Sequence, residues 1–494
     1  MTATPRRRGS LVLSSLVAAI ALTIGMSPIL ISRSGDIVAV IAGQDPANEA
    51  LIRSYLALQV ILLGLFAVWT SRVSGTLLSA PFLLAASLFL WHFSFVVGFF
   101  LYGEDIFSYP GGVFDIGREQ VEAAIGFCGL CFSCLMIGVL YAYYFRIVLR
   151  RRHPRPARPA PPPGADERFA VYAHRVGVVG LIACTLVLLA FDVLENRASG
   201  AVSYSDLYLQ TSGAFIYRLF YATQYFGAVF VLMALARPAQ DRPVLPAVVA
   251  ALVLVFLHFL NGSRSLPFIV FVAFVVCYDT SFRRLSAPII ATVGIGMSAA
   301  SWIVSQARDS GVGLHVFTLT TASVNLLHFL WESGRSIGAV IMTFHFVGQE
   351  PYRYGASFLE SALELVPLTS RFARSVVPVE RPSEWLLARV ATVPQGKGFG
   401  YSLVAEAFFN FGYAGCLLFV LLGAFVGRYY FGYLKTGSTY LFLMASSVAV
   451  MLSLHMRNDS GSFLRTLLIS FIMFHVLKRV SERAQRGCGG EFSF

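Results

Sequence analysis

Charge is what this sequence has least of. Asp, Glu, Lys and Arg make up 13% of its 494 residues, where an ordinary soluble domain carries about 25%. That excludes a soluble enzyme hung on a membrane anchor. No polar stretch is long enough to bury a core of its own, apart from one segment in the C-terminal third. Lysine is almost absent, with 3 residues against 35 arginines. The seven cysteines lie mostly inside apolar runs and set out no disulfide framework. Neither a G-x-x-x-x-G-K-[ST] phosphate loop nor an H-E-x-x-H metal pair occurs.

What is present is apolar. Hydrophobic residues reach 56% and the mean hydropathy is +0.70. At about 20 residues per crossing, the chain reads as an all-α polytopic membrane protein of about twelve transmembrane helices. They fall at 11–31, 51–71, 77–102, 121–145, 175–195, 214–236, 243–260, 265–282, 285–305, 413–433, 438–456 and 463–480. The first follows Arg6, Arg7 and Arg8 and looks like the start of a signal peptide. Its apolar run is too long for that and no A-x-A site follows, so it reads as an uncleaved span.

Basic residues orient the spans. With the N-terminus inside, the inner segments hold 22 Lys and Arg. The short outer loops hold 8, and a further 8 lie in the long outer stretch 308–397, which the positive-inside rule does not count. Six acidic residues fall inside, leaving +16 there and −4 outside. The formal charge of +12 is therefore a topology signal rather than a nucleic-acid footprint, and no nucleic acid is expected as a partner. The expected layout is a cytoplasmic N-terminus (1–10), helices one to four (11–145), a cytoplasmic Arg/Pro-rich loop (146–174), helices five to nine (175–305), a large outer loop (306–412), helices ten to twelve (413–480) and a cytoplasmic tail (481–494). The inner loop RRRHPRPARPAPPPGADER reads first as an orientation signal and solvated linker, with contact to anionic lipid as the alternative. The outer loop should contain helices near 320–347 and 355–366, and it is where the chemistry is expected.

Ionisable groups deep in the bilayer mark ion and proton pathways. Here Asp192, Glu195 and Arg218 fall near outer span ends, and Asp279 and Arg428 near inner ones. His92 and His258 are the deep candidates, and a lone His among apolar residues is more often hydrogen-bonded core than relay. This weighs against a proton-coupled transporter. Cys128, Cys131 and Cys134 have the C-x2-C-x2-C spacing of iron–sulfur ligands. They sit in the apolar run GFCGLCFSCL with no fourth Cys after them, which favours helix packing by small residues.

The remaining polar residues gather at the expected outer boundary. Arg264 lies in NGSRS, Arg308 in SQARDS, Arg335 in WESGRSIG with Glu332 three residues before it, and Arg353 in PYRYG. Arg389 precedes PQGKGFG, and Arg457 lies in HMRNDSGSFLR. A guanidinium fork grips phosphate in a bidentate way, so several at one face would suit a diphosphate at headgroup level. For any single Arg, a lipid contact or a surface ion pair is the plain alternative. The glycines around Lys397 lead into a helix expected to start near Ser402, whose N–H groups would face an anion. On that helix Glu406 and Asn410 share a face. Glu406 suits a general base for a sugar hydroxyl, and an ion pair with one of the Arg is its structural alternative.

The stretches WESGRSIGAVIMTFHF, PYRYGASFLESALELVP and GKGFGYSLVAEAFFNFGYAG, with a large outer loop before the last three spans, resemble the Wzy polymerases of bacterial O-antigen and exopolysaccharide synthesis. The likeness covers roughly 255–470; the first 250 residues match only in hydropathy. Its most specific piece is G-x-G-x-S-x-x-x-E-x-x-x-N-F-G, Gly398 through Gly412. The resemblance implies a multi-pass protein of the bacterial inner membrane, both termini cytoplasmic. It implies a glycosyltransferase that joins undecaprenyl-diphosphate-linked repeat units on the periplasmic face, with neither cofactor nor metal. The expected partners are that lipid-linked glycan and membrane lipid, with a chain-length regulator and a flippase as candidate companions. Glu406 or Glu332 is the expected base. Arg264, Arg308, Arg335, Arg353, Arg389, Lys397, Asn410 and Arg457 are the expected substrate contacts. An O-antigen ligase and a lipid-linked glycan flippase or transporter are the alternatives.

Overall fold

The computed structural model describes residues 5–32, 46–102, 118–149, 165–191, 215–236, 244–260, 265–296, 334, 336–348, 350–363, 381–390 and 401–488. These residues are almost wholly helical, with no strand among them. In chain order the helices are α1 (Pro5–Ser32), α2 (Pro46–Ser74), α3 (Ala80–Tyr102), α4 (Arg118–Tyr143), α5 (Ala165–Phe191), α6 (Phe215–Leu235), α7 (Val244–Leu260) and α8 (Ser265–Ser281). There follow α9 (Ala287–Gly296), α10 (Ser336–Val347), α11 (Ala356–Leu363), α12 (Pro382–Arg389), α13 (Leu403–Phe411), α14 (Leu417–Thr436), α15 (Thr439–His455) and α16 (Leu464–Cys488).

Among the described residues six stretches are long and apolar enough to cross a membrane: Leu11–Ile31, Ala50–Ser74, Ala80–Val97, Gln120–Leu149, Asp166–Ala190 and Leu403–Thr436. Shorter apolar helices cover Phe226–Leu235, Val244–His258, Pro267–Ser281, Ala287–Gly296, Ser336–Val347 and Thr439–His455. Two helix starts come ten residues earlier than the sequence leads one to expect, and the last helix runs to Cys488 rather than ending at 480. α5 starts at Ala165 rather than at 175. The apolar helical run before the last two helices opens at Leu403, ten residues ahead of the expected 413. It is not one straight rod. Gly412, at φ 58°, ends α13, and a 3-10 turn over Gly412–Cys416 leads into α14.

The chain divides into two compact units. The first comprises Met1–Ala142, Leu327–Phe425 and His455–Arg465. Small residues let its helices approach backbone to backbone, the packing that helices use where lipid removes any hydrophobic drive between them. A Cβ on Gly138 of α4 would collide with the Val420 carbonyl and lie 2.7 Å from the Ala424 nitrogen of α14. The converse holds at Gly423, where a Cβ would strike Leu135 and reach 3.1 Å from Val139 N. Polar side chains add interhelical bonds. Tyr55 of α2 lies 2.8 Å from the Ser27 hydroxyl of α1 and donates to the Gly126 carbonyl of α4 at 3.3 Å. Cys128, Cys131 and Cys134 are buried free thiols in this packing, as their apolar setting leads one to expect.

The second unit comprises Tyr143–Leu326, Val426–Leu454 and Thr466–Phe494. Here α5 lies against α6, with Gly177 at the Ala234 backbone and His174 Nδ1 at 2.8 Å from the Ala234 carbonyl. Asp166, in the first turn of α5, also caps α15. It accepts from Thr439 N at 3.0 Å, Thr439 Oγ1 at 3.0 Å and Ser438 Oγ at 2.9 Å.

Candidate functional site

The side chains whose contacts are given below belong to the first unit. The site is built around α13, the helix that carries Glu406 and Asn410. Ser402 is its N-cap, and its hydroxyl accepts from Val404 N and Ala405 N at 3.1 and 3.3 Å. With both lone pairs taken, that hydroxyl has only its proton to give, and it lies 2.7 Å from His92 Nε2. His92 Nδ1 sits 2.9 Å from the Leu88 carbonyl, which can only accept, so Nδ1 bears the ring hydrogen. His92 is thus hydrogen-bonded core, the role the sequence favours for it.

The remaining first-turn donors are also met. Leu403 N donates to Met456 O at 3.2 Å and Glu406 N to Ser402 O at 2.8 Å. The first four N–H groups of α13 therefore have protein partners. This corrects the expectation that they face an anion: a side-chain cap and a neighbouring carbonyl satisfy them instead.

The other end of α13 receives the PYRYG segment. Arg353 N donates to Phe409 O at 3.2 Å and Tyr354 N to Asn410 O at 2.8 Å, while Gly355 N donates to Asn410 Oδ1 at 3.0 Å. The turn needs left-handed backbone at Tyr354 (φ 49°) and Gly355 (φ 88°). Ser357 follows directly. It accepts from Asn410 Nδ2 at 2.7 Å and donates to Glu406 Oε1 at 2.6 Å.

Glu406 is fully buried. A second donor to Oε1, Ser460 Oγ, comes at 2.7 Å, and Ser460 N reaches Oε2 at 2.6 Å. Three segments distant in sequence therefore meet on one carboxylate: α13, the start of α11 and the turn after α15. Next to Ser460, Asp459 accepts from Ser383 of α12 at 2.5 Å. The alternative of an Arg partner for Glu406 is not what the geometry gives, since its three donors are two hydroxyls and one backbone amide.

Arg353 and Arg389 converge on a residue the sequence reading passed over, Glu350. Arg353 Nη2 reaches Glu350 Oε2 at 2.9 Å, Arg389 Nε reaches Oε1 at 3.0 Å, and Arg389 Nη2 also bonds Oε1. Trp385 Nε1 donates to Oε2 at 3.2 Å. The Arg389 guanidinium stacks on the Trp385 ring at 4.6 Å, and Arg353 lies over Phe409 at 5.6 Å. Two cations thus share one partly exposed carboxylate. Arg457 stands elsewhere, exposed, its guanidinium 5.2 Å from the Trp91 ring and its carbonyl accepting from Tyr401 N at 3.3 Å. Arg264, Arg308, Arg335, Glu332 and Lys397 lie outside the described residues. The letters G-x-S-x-G at Gly334–Gly338 open α10, and no strand of the kind that a nucleophile turn requires is among the described residues. Nor, among them, do three or more His, Cys, Asp or Glu side chains cluster to hold a metal ion.

Burial alone would raise the Glu350 carboxyl. Hydrogen bonds from Arg389 and Trp385, with the charges of Arg389 and Arg353, more than offset this and hold it below the ordinary carboxylate value. A depressed folded-state value contributes stability above the unfolded value and loses it as pH falls through the folded one. The α12 amides should therefore be well protected from hydrogen exchange at pH 7 and lose protection as the solution is acidified below about pH 4. Glu350→Gln should show the low protection at both pH values. Equal protection of wild type and variant at pH 7 would remove this clamp.

These features define a polytopic helical membrane protein with a buried polar centre around Glu406 and two Arg gathered on Glu350. The sequence model of the family described as O-antigen polysaccharide polymerase Wzy matches residues 26–478, and the chain belongs to that family. It is a multi-pass inner-membrane polymerase of O-antigen repeat units, acting on lipid-linked substrates. No curated protein and no solved structure matches the chain.

Proposed function

We propose that the chain lengthens its polysaccharide by glycosyl transfer on the periplasmic face, from undecaprenyl diphosphate to the next lipid-linked repeat unit. The acceptor hydroxyl attacks the anomeric carbon of the growing glycan. The bond from that carbon to the diphosphate oxygen breaks, and the lipid diphosphate leaves. The hydroxyl proton passes to a carboxylate, Glu332 or Glu406. Glu406 is sealed behind Ser357 and Ser460, so it would meet substrate through one of those hydroxyls. Arg353 and Arg389 are proposed to contact the diphosphate, as are Arg335, Lys397 and Arg457; Arg264 and Arg308 are proposed as substrate contacts in their own right, and Asn410 holds the turn. Preorganised donors of this kind act where charge develops in the transition state. The observation that carries the reading is the meeting of PYRYGAS, EAFFNFG and the NDSG turn on the Glu406 carboxylate.

The same reading has twelve spans with both termini inside and 306–412 as the periplasmic loop. Helix directions support it. Phe127 meets Tyr413 at 6.0 Å and Gly138 meets Ala424, so α4 and α14 run parallel, as two spans entering from the outer side must. The shared Asp166 cap brings together the starts of α5 and α15, both expected on the inner side.

Gene deletion with complementation tests the proposal, read as the ladder of surface glycan lengths. Deletion should leave single repeats only, and wild type should restore the ladder. Arg264→Ala and Arg335→Ala should each give membrane-inserted protein and no ladder. A complete ladder in the deletion strain would overturn the reading. Long lipid-linked chains without transfer would point to a ligase. A wild-type ladder from either variant removes that Arg from the site.

A further inference from the structure

Tyr354 is held in a backbone conformation that its side chain does nothing to support. It is the one non-glycine residue among the described residues with positive φ, at 49°. Glycine takes this region freely, and a bulky side chain takes it with strain. The conformation is imposed from both flanks by the bonds of Arg353 N, Tyr354 N and Gly355 N to α13. Burial does not compensate, because the Tyr354 side chain is 79% exposed. The strained turn therefore presents an aromatic ring outward. Persistent strain of this type collects at ligand clamps.

The surroundings suit a sugar. Arg353, the residue before, turns to Glu350 and sets charged donors and acceptors beside the turn. Tyr352 and Tyr413 are also open, at 37% and 41%. The face of an aromatic ring is electronegative and attracts polarised C–H groups, such as those on the flatter side of a pyranose, whose hydroxyls would reach the Arg and Glu groups. An interfacial aromatic belt is the other use of exposed Tyr in a membrane protein. A belt needs only depth, and an unstrained backbone would serve it as well.

We propose that Tyr354 is a stacking platform for a sugar ring of the repeat unit, a specificity-determining contact beside the Arg353–Glu350 pair. The proposal rests on the polymerase reading for the identity of the glycan. The test uses full-length protein in lipid nanodiscs with Tyr354→Gly and Tyr354→Phe. The first probe is free repeat-unit oligosaccharide, released by mild acid from the lipid-linked pool and followed by saturation-transfer NMR. Wild type and Tyr354→Phe should give transfer to the sugar C–H protons, and Tyr354→Gly should lose it. The second readout is chain extension with the lipid-linked repeat. Tyr354→Gly should melt no lower than wild type, because Gly relieves the strain, while its KM rises about ten-fold with kcat within about two-fold. Unchanged oligosaccharide binding by Tyr354→Gly overturns the platform. So does a Gly variant whose membrane insertion falls while its glycan binding persists, which would assign the ring to a belt. Failure of wild type to extend chains would sink the polymerase reading and leave the oligosaccharide arm to decide on Tyr354.

Discussion

Glu406→Gln should abolish chain extension and take a large share of the protein's stability with it. The change conserves volume, so packing is not the cause. The Glu406 oxygens receive Ser357 Oγ, Ser460 Oγ and Ser460 N, all as donors. An amide can keep only the bonds to its oxygen. Its NH2 must face a hydroxyl or a backbone N–H that already points at it. A buried donor left without an acceptor costs about 1–3 kcal/mol, and bonds to a charged acceptor are stronger than neutral ones. The sum is on the order of 3–5 kcal/mol. Ser357 would also lose its fixed orientation between Glu406 and Asn410, loosening the PYRYG turn. Thermal unfolding in detergent should show a fall of roughly 5 °C or more, and the glycan ladder should collapse to single repeats. A variant that melts like wild type but makes no polymer would mean that the carboxylate acts in the chemistry and not as a tie. A variant normal in both respects would remove Glu406 from either role.

The membrane class and helical content were legible because they follow from composition, which no tertiary contact can reverse. Ser402 was legible as a helix start because a hydroxyl N-cap is local chemistry, and Glu406 and Asn410 share a face by spacing alone. Their partners were not legible. Ser357 and Ser460 are 49 and 54 residues from Glu406 in sequence, and a serine between apolar residues carries no mark of where its hydroxyl will go. Arg353 and Arg389 drew notice as cations, yet Glu350, which joins them, falls in a stretch with no periodicity. The anion site expected at the start of α13 failed for a similar reason. The glycines before Ser402 announce a free helix end, and only the fold reveals that the Met456 carbonyl closes it. α5 begins early with Asp166 in its first turn, and the second task of that residue, capping α15, is not disclosed by its own neighbourhood.

Gly138→Leu should prevent the first unit from assembling, although the substitution makes the sequence more hydrophobic. At this position a Cβ would fall on the Val420 carbonyl and within 2.7 Å of the Ala424 nitrogen. Both obstacles are backbone, which cannot swing aside as a side chain does. A four-carbon side chain must therefore push α14 away from α4. In lipid the separated helices gain nothing from burying the added carbons, because hydrocarbon surrounds them in either state. Overpacking a core costs about 1–3 kcal/mol when neighbours can move, and here the reciprocal contact at Gly423 with Leu135 opens as well. The shift passes upward through Phe127, which packs edge-on against Phe408 at 5.3 Å, into the helix that bears Glu406. Gly64→Leu is the matched control, for among the described residues nothing lies within 4 Å of a Cβ there. Gly138→Leu should lose folded protein from the membrane fraction and all glycan beyond one repeat, whereas Gly64→Leu should keep both. If the two variants accumulate and polymerise alike, α4 and α14 do not pack through these glycines.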